Sequence, residues 1–328
     1  MAITCGFVME QYYRLQVCNL SARDNTAHSY NIYPGATIDS VMDMLRQDYE
    51  IGNMHDFDLH ARYMLFNYPE PGHYVFPSHI GNRELINTLK YGLQTPMKIT
   101  WNSTIRTREE LAEQLSSRLL MDYEDILERL DSDDYMEQFG MDKETSRCLF
   151  IPNTYEVYWT ITPDQLFERM AKEYETFWSN RRRRKAESIH LTPVEVDIVA
   201  SIVESETYRK SDFPLIASLY LNRIRKGMPL QACPTIKYAL GDFQLKRILY
   251  RHLNVDSPYN TYKNAGLPPG PIRCASPEAI DAVLNAPKTD YLYMCANPKL
   301  DGTHIFSATY SGHSSAAADY HHMMDSQN

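Results

Sequence analysis

The chain has 328 residues, of which 43% are hydrophobic and 23% are charged, and its formal net charge at pH 7 is -9. This length accommodates two domains with separate cores, and the composition is that of an ordinary globular protein. An acidic balance argues against a general nucleic-acid-binding protein, because phosphate binding favours a basic surface. The one basic cluster, residues 181–185, is interpreted as a solvated patch at a helix end or in a loop, with contact to anionic lipid or polymer as the alternative.

The cysteines and the hydropathy pattern leave the cellular compartment open. The six cysteines are scattered, without a CxxC or a zinc-like spacing, so they neither require nor exclude disulfides and predict no metal site. No organic cofactor motif is visible either. No run of about 20 apolar residues and no complete signal peptide is present. Either the protein is soluble as given, or an N-terminal anchor has been lost.

In chain order, the first hundred residues predict a small α/β module after an irregular lead-in over 1–28. Turn residues and hydrophobic periodicity predict helices over 38–49, 56–66 and 83–91, a turn and strand over 71–76, and a strand over 97–101.

The rest of the chain predicts a helix-rich domain. Helical stretches are predicted over 108–129, 163–178, 192–207, 215–226 and 277–286, with a buried strand over 291–296. Gly227 is the expected C-cap of its helix, and proline and glycine mark a loop-rich region that extends to residue 277. The predicted fold class is α+β, with a small α/β module followed by a larger helix-rich domain that contains a short sheet.

Glu206 occupies a distinctive position in the helix predicted over 192–207. Thr192, Pro193 and Glu195 form a helix-start signal, with a capping threonine, a proline at the first position and a capping box. Apolar residues recur on one face, and Glu206 follows Ile202 by four residues on that face, whereas Glu204 points roughly the opposite way. A carboxyl group on a buried face resists ionisation, so its pKa rises, as a general acid requires. The alternative is a solvated glutamate or a structural partner of an arginine.

Several motifs follow one another along the chain in a recognisable order. They are Leu149-Phe150-Ile151-Pro152-Asn153-Thr154-Tyr155, Ala200-Ser201-Ile202-Val203-Glu204-Ser205-Glu206-Thr207, Leu221-Asn222-Arg223-Ile224, Leu230-Gln231-Ala232-Cys233-Pro234-Thr235-Ile236-Lys237-Tyr238, Tyr259-Asn260-Thr261-Tyr262, Gly266-Leu267-Pro268-Pro269-Gly270-Pro271-Ile272, Tyr291-Leu292-Tyr293 and His304-Ile305-Phe306. In order and spacing they resemble the MltG/YceG-like family of endolytic murein transglycosylases.

The resemblance implies a domain organisation and a cellular location. Residues 1–28 would be the lead-in, without the membrane anchor of the family, 29–102 a LysM-like subdomain, and 103–328 the YceG-like catalytic domain. The location implied is the cell envelope, at the outer face of the cytoplasmic membrane. The implied ligand is the glycan strand of bacterial peptidoglycan, with peptidoglycan synthases left open as partners and membrane contact only through the missing anchor.

The resemblance also implies the reaction, which is cleavage of the MurNAc-GlcNAc β-1,4 bond within strands to give 1,6-anhydro-MurNAc ends. The catalytic glutamate of the family corresponds to Glu206. One carboxyl group suffices, because the C6 hydroxyl of the sugar attacks intramolecularly, whereas ordinary glycosidases need two carboxyl groups. Two alternatives stay open: a peptidoglycan-binding scaffold without turnover, and a water-using muramidase whose second carboxylate would be Asp212, Asp256 or Asp301.

Supporting roles follow for six further motif residues. Side chains expected to contact sugar hydroxyl and N-acetyl groups are Gln231, Thr235, Tyr259, Asn260, Tyr262 and His304. For Asn260 a role in loop hydrogen bonding is the alternative, and for His304 a structural histidine. The Pro-rich stretch 267–271 is expected to form a rigid wall in which Gly270 allows close approach. Cys233 departs from the family pattern, which often has Asp there, so contacts beside it are expected to differ.

Overall fold

The computed structural model describes residues 18–299 and 301–325, which form a mixed α+β fold with small sheets and so confirm the predicted fold class. The strands are β1 (Cys18–Ala22), β2 (His28–Ile32), β3 (Tyr49–Ile51), β4 (Gly72–Phe76), β5 (His79–Gly81), β6 (Met97–Trp101), β7 (Asn153–Val157), β8 (Tyr293–Ala296) and β9 (His304–Ser307).

The α-helices of the same residues fall mostly in the second half of the chain. They are α1 (Ile38–Leu45), α2 (Met54–Tyr63), α3 (Asn82–Lys90), α4 (Arg108–Ser116), α5 (Tyr123–Asp131), α6 (Asp133–Glu137), α7 (Pro163–Phe177), α8 (Asn180–Ser188), α9 (Pro193–Glu206), α10 (Phe213–Arg225), α11 (Cys233–Leu240), α12 (Pro277–Leu284) and α13 (Tyr310–Asp325). Short 3-10 turns are Ser146–Leu149, Lys210–Asp212 and Tyr250–Asn254.

The chain divides into two compact units. The first contains the described residues up to Ile99, together with Arg118–Met121 and Tyr155–Thr162. The second contains Thr100–Ser117, Asp122–Thr154 and the described chain from Pro163 onward. Strands β6 and β7 pair with each other, and each contributes residues to both units. The LysM-like subdomain over 29–102 and the catalytic domain over 103–328 stay predictions.

The first unit is built on two antiparallel sheets around one hydrophobic core. β1 lies between β3 and β5, and β2 pairs with β4. Leu20 of β1 and Tyr49 of β3 are both fully buried in this core. The Tyr49 hydroxyl donates a hydrogen bond to the carbonyl oxygen of Phe76 at 2.8 Å, which ties β3 to the end of β4.

Two predictions for this unit are wrong in part. The helix expected over 38–49 ends at Leu45, and Tyr49 instead begins β3. The irregular lead-in over 1–28 contains β1, although residues 1–17 lie outside the described residues. Both errors have the same cause. Strand pairing is decided by partners about 30 and 60 residues away along the chain, so five- and three-residue strands leave almost no local signal.

Helix α9 is the centre of the second unit. It packs against α8, α10, α11 and α12, and every residue from Val196 to Val203 is buried. β8 and β9 form an antiparallel hairpin that α13 covers. Because residues 196–203 are all buried, α9 is covered on every face and is not amphipathic. The prediction that only one face of this helix is buried is therefore wrong.

Other predictions for this unit need smaller corrections. The helical stretch 108–129 is two helices, α4 and α5, and the loop-rich region before residue 277 contains α11. The strand expected to be buried over 291–296 is the half-buried β8. The basic cluster lies within α8, where Arg182 makes two hydrogen bonds of 3.0 Å with the carboxylate of Asp281. Part of that cluster therefore fastens α8 to α12.

The Pro-rich stretch forms a close contact at the position that the sequence indicates. A Cβ atom placed on Gly270 would lie 2.1 Å from the carbonyl oxygen of Glu144 and 3.0 Å from the Tyr259 hydroxyl. Only glycine fits at this distance, because the neighbour is backbone that cannot move aside. The expected close approach at Gly270 is confirmed.

Candidate active site

Helix α9 begins as predicted and carries Glu206 to its C-terminal end. Thr192 Oγ1 accepts a hydrogen bond from Glu195 N at 3.2 Å, and Thr192 N donates to Glu195 Oε2 at 2.7 Å, which confirms the capping box. Pro193 opens the helix, and Glu206 is its last residue. Glu206 therefore lies at the end of a buried helix, and it is itself half-buried.

Glu206 lies where two cavities of the second unit meet. The first, the Lys237 cavity, has a volume of about 470 Å³, and its walls include Arg106, Lys237, Tyr238 and Phe243. The second, the His304 cavity, has a volume of about 380 Å³ and is lined mainly by aromatic and polar side chains. These are Tyr220, Arg223, Gln231, Cys233, Tyr262, Tyr293, His304, Tyr310 and His313 among others. Glu206 is the one residue that both cavities share.

The carboxyl group of Glu206 is set up to hold a proton. Burial raises its pKa, and this effect outweighs the hydrogen bond from Tyr220 and the electrostatic influence of His304 and Lys237, which lower it. The Tyr220 hydroxyl donates to Glu206 Oε1 at 2.5 Å, and Tyr220 itself is 2% exposed. Burial raises the pKa of Tyr220 well above its ordinary value, so the phenol remains a donor. One oxygen of Glu206 is therefore fixed by Tyr220.

Glu204 has a structural position. Its Oε1 accepts from Ser103 Oγ at 2.7 Å, and its Oε2 accepts from the backbone N–H of Ser276 at 2.9 Å. The two glutamates thus point to different partners, as the helical periodicity predicts, but Glu204 is half-buried and engaged rather than solvated. Apart from Glu206, it is the only carboxylate of the described residues that lines either cavity.

The three aspartates considered as second carboxylates lie off the cavity walls. Asp212 is buried and its Oδ2 lies 3.0 Å from His304 Nδ1, so it orients that histidine. Asp256 and Asp301 are exposed, and neither lines the two cavities. Hydrogen bonds from the side chain and the backbone N–H of Thr303 lower the pKa of Asp301, which favours its ionised form.

The predicted sugar-contacting residues separate into two groups. Gln231, Tyr262 and His304 line the His304 cavity together with Glu206. Cys233, the residue that departs from the family pattern, is also part of the cavity wall, and its Sγ lies 3.2 Å from the Tyr262 hydroxyl. Gln231 has a positive φ of 52°, and its Oε1 accepts from Arg223 at 3.2 Å.

The other three are buried beneath the wall and bonded to protein groups. Thr235 and Asn260 are 0% exposed, and Tyr259 is 6% exposed. Asn260 Nδ2 donates to the carbonyl oxygens of Leu253 and Val255 at 2.9 and 2.8 Å. Thr235 Oγ1 donates to Ala232 O at 2.8 Å, and the Tyr259 hydroxyl donates to Glu144 Oε2 at 2.6 Å. For Asn260 this is the loop-bonding alternative, and nothing in this arrangement exposes the three side chains to a ligand.

Sequence reasoning missed the residues that contact or surround Glu206 from other elements. Tyr220 comes from α10, Lys237 from α11, and Tyr293 from β8. Arg223 and its neighbour Asn222 fasten α10 to the segment that leads into β8, because they donate hydrogen bonds to backbone carbonyl oxygens of residues 289–292. Tyr220 carries no motif signal of its own, because its role depends on the packing of α10 against α9.

Within residues 18–299 and 301–325, no group of three or more His, Cys, Asp or Glu side chains is arranged to hold a metal ion. None of the helices described for this chain combines the length and hydropathy needed to cross a membrane.

The fold and the site define a mixed α+β protein with one protonatable carboxyl group between two polar and aromatic cavities. The sequence profile of the YceG-like family matches residues 30–319, which is most of the chain. The protein therefore belongs to the YceG-like family. A crystal structure of a YceG-like protein from Listeria monocytogenes superposes with a TM-score of 0.58 at 26% identity, covering 88% of this chain and 98% of that one.

Curated relatives match a part of the chain. An endolytic murein transglycosylase of Bacillus subtilis is 43% identical over 146 residues, which is 44% of this chain and 38% of that protein. An endolytic murein transglycosylase of Streptococcus pneumoniae is 35% identical over 154 residues, which is 44% of this chain and 27% of that protein. The matched stretches therefore span well under half the length of either relative.

Proposed function

We propose that this protein is an endolytic peptidoglycan transglycosylase in which Glu206 is the catalytic residue. The observation that carries the proposal is the position of Glu206 at the meeting of two cavities. An enzyme that cuts within a strand needs room for sugar units on both sides of the scissile bond, and the two cavities provide it. The names of the B. subtilis and S. pneumoniae relatives support the same reaction.

In the proposed mechanism Glu206 acts first as an acid and then as a base. Its raised pKa favours the protonated carboxyl group, which donates this proton to the glycosidic oxygen as the bond to the anomeric carbon of MurNAc breaks. The resulting carboxylate, stabilised by the hydrogen bond from Tyr220, takes the proton of the C6 hydroxyl. The C6 oxygen then bonds to the anomeric carbon, which gives the 1,6-anhydro end without water.

The second carboxylate of a water-using muramidase has no evident place in this arrangement. Retaining glycosidases place their two carboxyl groups roughly 5–5.5 Å apart, and inverting enzymes roughly 6.5–9.5 Å apart. Glu204, the other carboxylate at the cavities, already accepts hydrogen bonds from Ser103 and Ser276. An intramolecular attack by the C6 hydroxyl makes a second carboxylate unnecessary.

The proposal extends to the remaining parts of the chain. We propose that 29–102 is a LysM-like subdomain and 103–328 the catalytic domain, that Gln231, Tyr262 and His304 contact sugar, and that Thr235, Tyr259 and Asn260 hold the wall beneath them. The substrate is the peptidoglycan strand, so the protein acts in the cell envelope, at the outer face of the cytoplasmic membrane, where peptidoglycan synthases are candidate partners.

The test is mass spectrometry of purified peptidoglycan after digestion by the wild type and by Glu206→Gln. We expect anhydro-muropeptide ends from the wild type and a loss of at least about a hundredfold in Glu206→Gln, because general acid catalysis contributes roughly 10²–10⁴ in rate. Asp256→Asn is the matched control, since it removes an exposed carboxylate that lines neither cavity.

Three results would contradict parts of the proposal. Reducing MurNAc ends would identify a water-using muramidase. Full activity of Glu206→Gln would reject Glu206 as the acid. Strand binding by the wild type without cleavage would favour the scaffold alternative.

A further inference from the structure

The Lys237 cavity is positively charged within a chain whose formal net charge is -9. Its walls contain three cations, Arg106, Lys237 and Arg273, and two carboxyl groups, Glu204 and Glu206. With Glu206 protonated, three positive charges face one negative charge, so the lining carries a net charge of +2. The surplus is local, and it lies beside the carboxyl group proposed to act on substrate.

None of these three cations forms an ion pair among the residues that the structure describes. Arg273 donates to the backbone of Ser103 and of Glu204. Arg106 and Lys237 are absent from the ion pairs of the described ranges, which engage other basic residues such as Arg182. The Arg106 guanidinium instead lies over the Phe243 ring, 4.9 Å from its centroid, which fixes its direction on the cavity wall.

The side chains of Arg106 and Lys237 are both half-buried, which makes their charges more effective than those of fully exposed residues. Partial burial weakens the screening by water and salt, so an anion that enters the cavity gains more from these two charges than it would at the open surface. Arginine and lysine also donate charge-assisted hydrogen bonds to carboxylates. The cavity wall thus has the chemistry of a carboxylate site.

We propose that Arg106 and Lys237 form a subsite for a carboxylate of the glycan strand. The inference rests on the proposed function, because it assumes that the strand occupies the Lys237 cavity. In peptidoglycan the carboxylates belong to the peptide stems, or to the lactyl groups of MurNAc where the stems have been removed. The sugar rings themselves are neutral. The subsite therefore selects carboxylate-bearing strands over neutral strands of the same length.

The experiment measures strand binding without turnover, by fluorescence anisotropy of labelled, uncrosslinked soluble strands with the full chain carrying Glu206→Gln. Three strands are compared: stem-bearing strands, the same strands with every carboxylate converted to its methylamide, and amidase-treated strands that keep only lactyl carboxylates. We expect methylamide conversion to weaken binding roughly tenfold, as the loss of one charge-assisted hydrogen bond would, and less so at high salt. The amidase-treated strands then separate the two carboxylate sources, since binding as tight as that of stem-bearing strands assigns the lactyl group.

Arg106→Gln and Lys237→Gln, each added to Glu206→Gln, are expected to remove most of the difference between charged and neutral strands. Lys226→Gln is the matched control, because Lys226 is an exposed cation after α10 that lines neither cavity. Equal affinity for charged and neutral strands, an undiminished preference in both cavity variants, or no strand binding at all would each overturn the subsite. None of these results depends on the product ends, so reducing ends from the wild type would reject the lytic reaction separately.

Discussion

The hydrogen bond from Tyr220 to Glu206 makes a quantitative prediction for Tyr220→Phe. The substitution removes only the hydroxyl that donates to Glu206 Oε1 at 2.5 Å, and Tyr220 is 2% exposed, so the packing of its ring is retained. A hydrogen bond to a charged group contributes about 1.5–3 kcal/mol. The carboxylate that forms as Glu206 releases its proton loses that amount, which predicts a drop of about 10- to 100-fold in the maximal rate.

The same bond determines the direction of a pH effect. Hydrogen bonding from Tyr220 lowers the pKa of Glu206 and so partly offsets the effect of burial, which raises it. Without the hydroxyl the pKa of Glu206 rises further. Because the proposed mechanism requires Glu206 to be protonated, we expect activity to fall as pH increases through this pKa, and the alkaline limb of the pH–rate profile to move to higher pH in Tyr220→Phe.

The assay is the initial rate of anhydro-muropeptide release, measured across pH for the wild type and both tyrosine variants. Tyr262→Phe is the matched control, because its hydroxyl is in the same cavity but lies against Cys233 rather than Glu206. Its alkaline limb should stay where the wild type has it. A Tyr220→Phe profile with the wild-type limb and the wild-type maximal rate would refute the reasoning that Tyr220 tunes Glu206.

Two further predictions concern stability. Burial raises the pKa of Asp197 well above its ordinary value, so folding favours its protonated form and stability is lost as pH rises from the unfolded-state pKa toward the folded-state pKa. Asp197→Asn should therefore raise Tm at pH 8 but not at pH 4. Each kcal/mol of stability gained should raise Tm by about 2–4 °C. Calorimetry at both pH values is the test, and an equal Tm shift at pH 4 and pH 8 would contradict the prediction. Gly270→Ala should lower stability by at least about 1–3 kcal/mol, because its Cβ would meet Glu144 O at 2.1 Å. An unchanged denaturant midpoint would show that the loop moves aside.

The hydrophobic periodicity of α9 correctly predicts that Glu206 lies on a buried face, but it wrongly predicts that the opposite face is exposed to solvent. The start signal at Thr192 and the placement of Glu206 follow from contacts within one or two helical turns. The opposite face looked polar because it carries Asp197 and Glu204, but Asp197 is 3% exposed and Glu204 is engaged with Ser103 and Ser276. Charged residues on a helix face indicate that the face is exposed to solvent only where no other element covers it.

A similar limit applies to the residues expected to contact sugar. Gln231 and Asn260 look alike in the sequence, since both are amides in polar motifs. The structure places Gln231 on the wall of the His304 cavity, whereas Asn260 is 0% exposed and bonded to the carbonyl oxygens of Leu253 and Val255. The exposure of a loop amide depends on where the loop folds back, which its own motif does not encode.

The sequence by itself determined the features that depend on neighbours in the chain: the α+β class, the capped start of α9, strand β6, the glycine at position 270 and the YceG-like motifs around Glu206. Only the tertiary structure decided the environment of the carboxyl group. Tyr220, Lys237 and His304 reach Glu206 or its cavities from three different elements. The physical reason is the distance along the chain between the residues that interact. Caps and turns are set within a few residues, whereas burial and charge at Glu206 arise from segments 14 to about 100 residues away that meet only when the chain is folded.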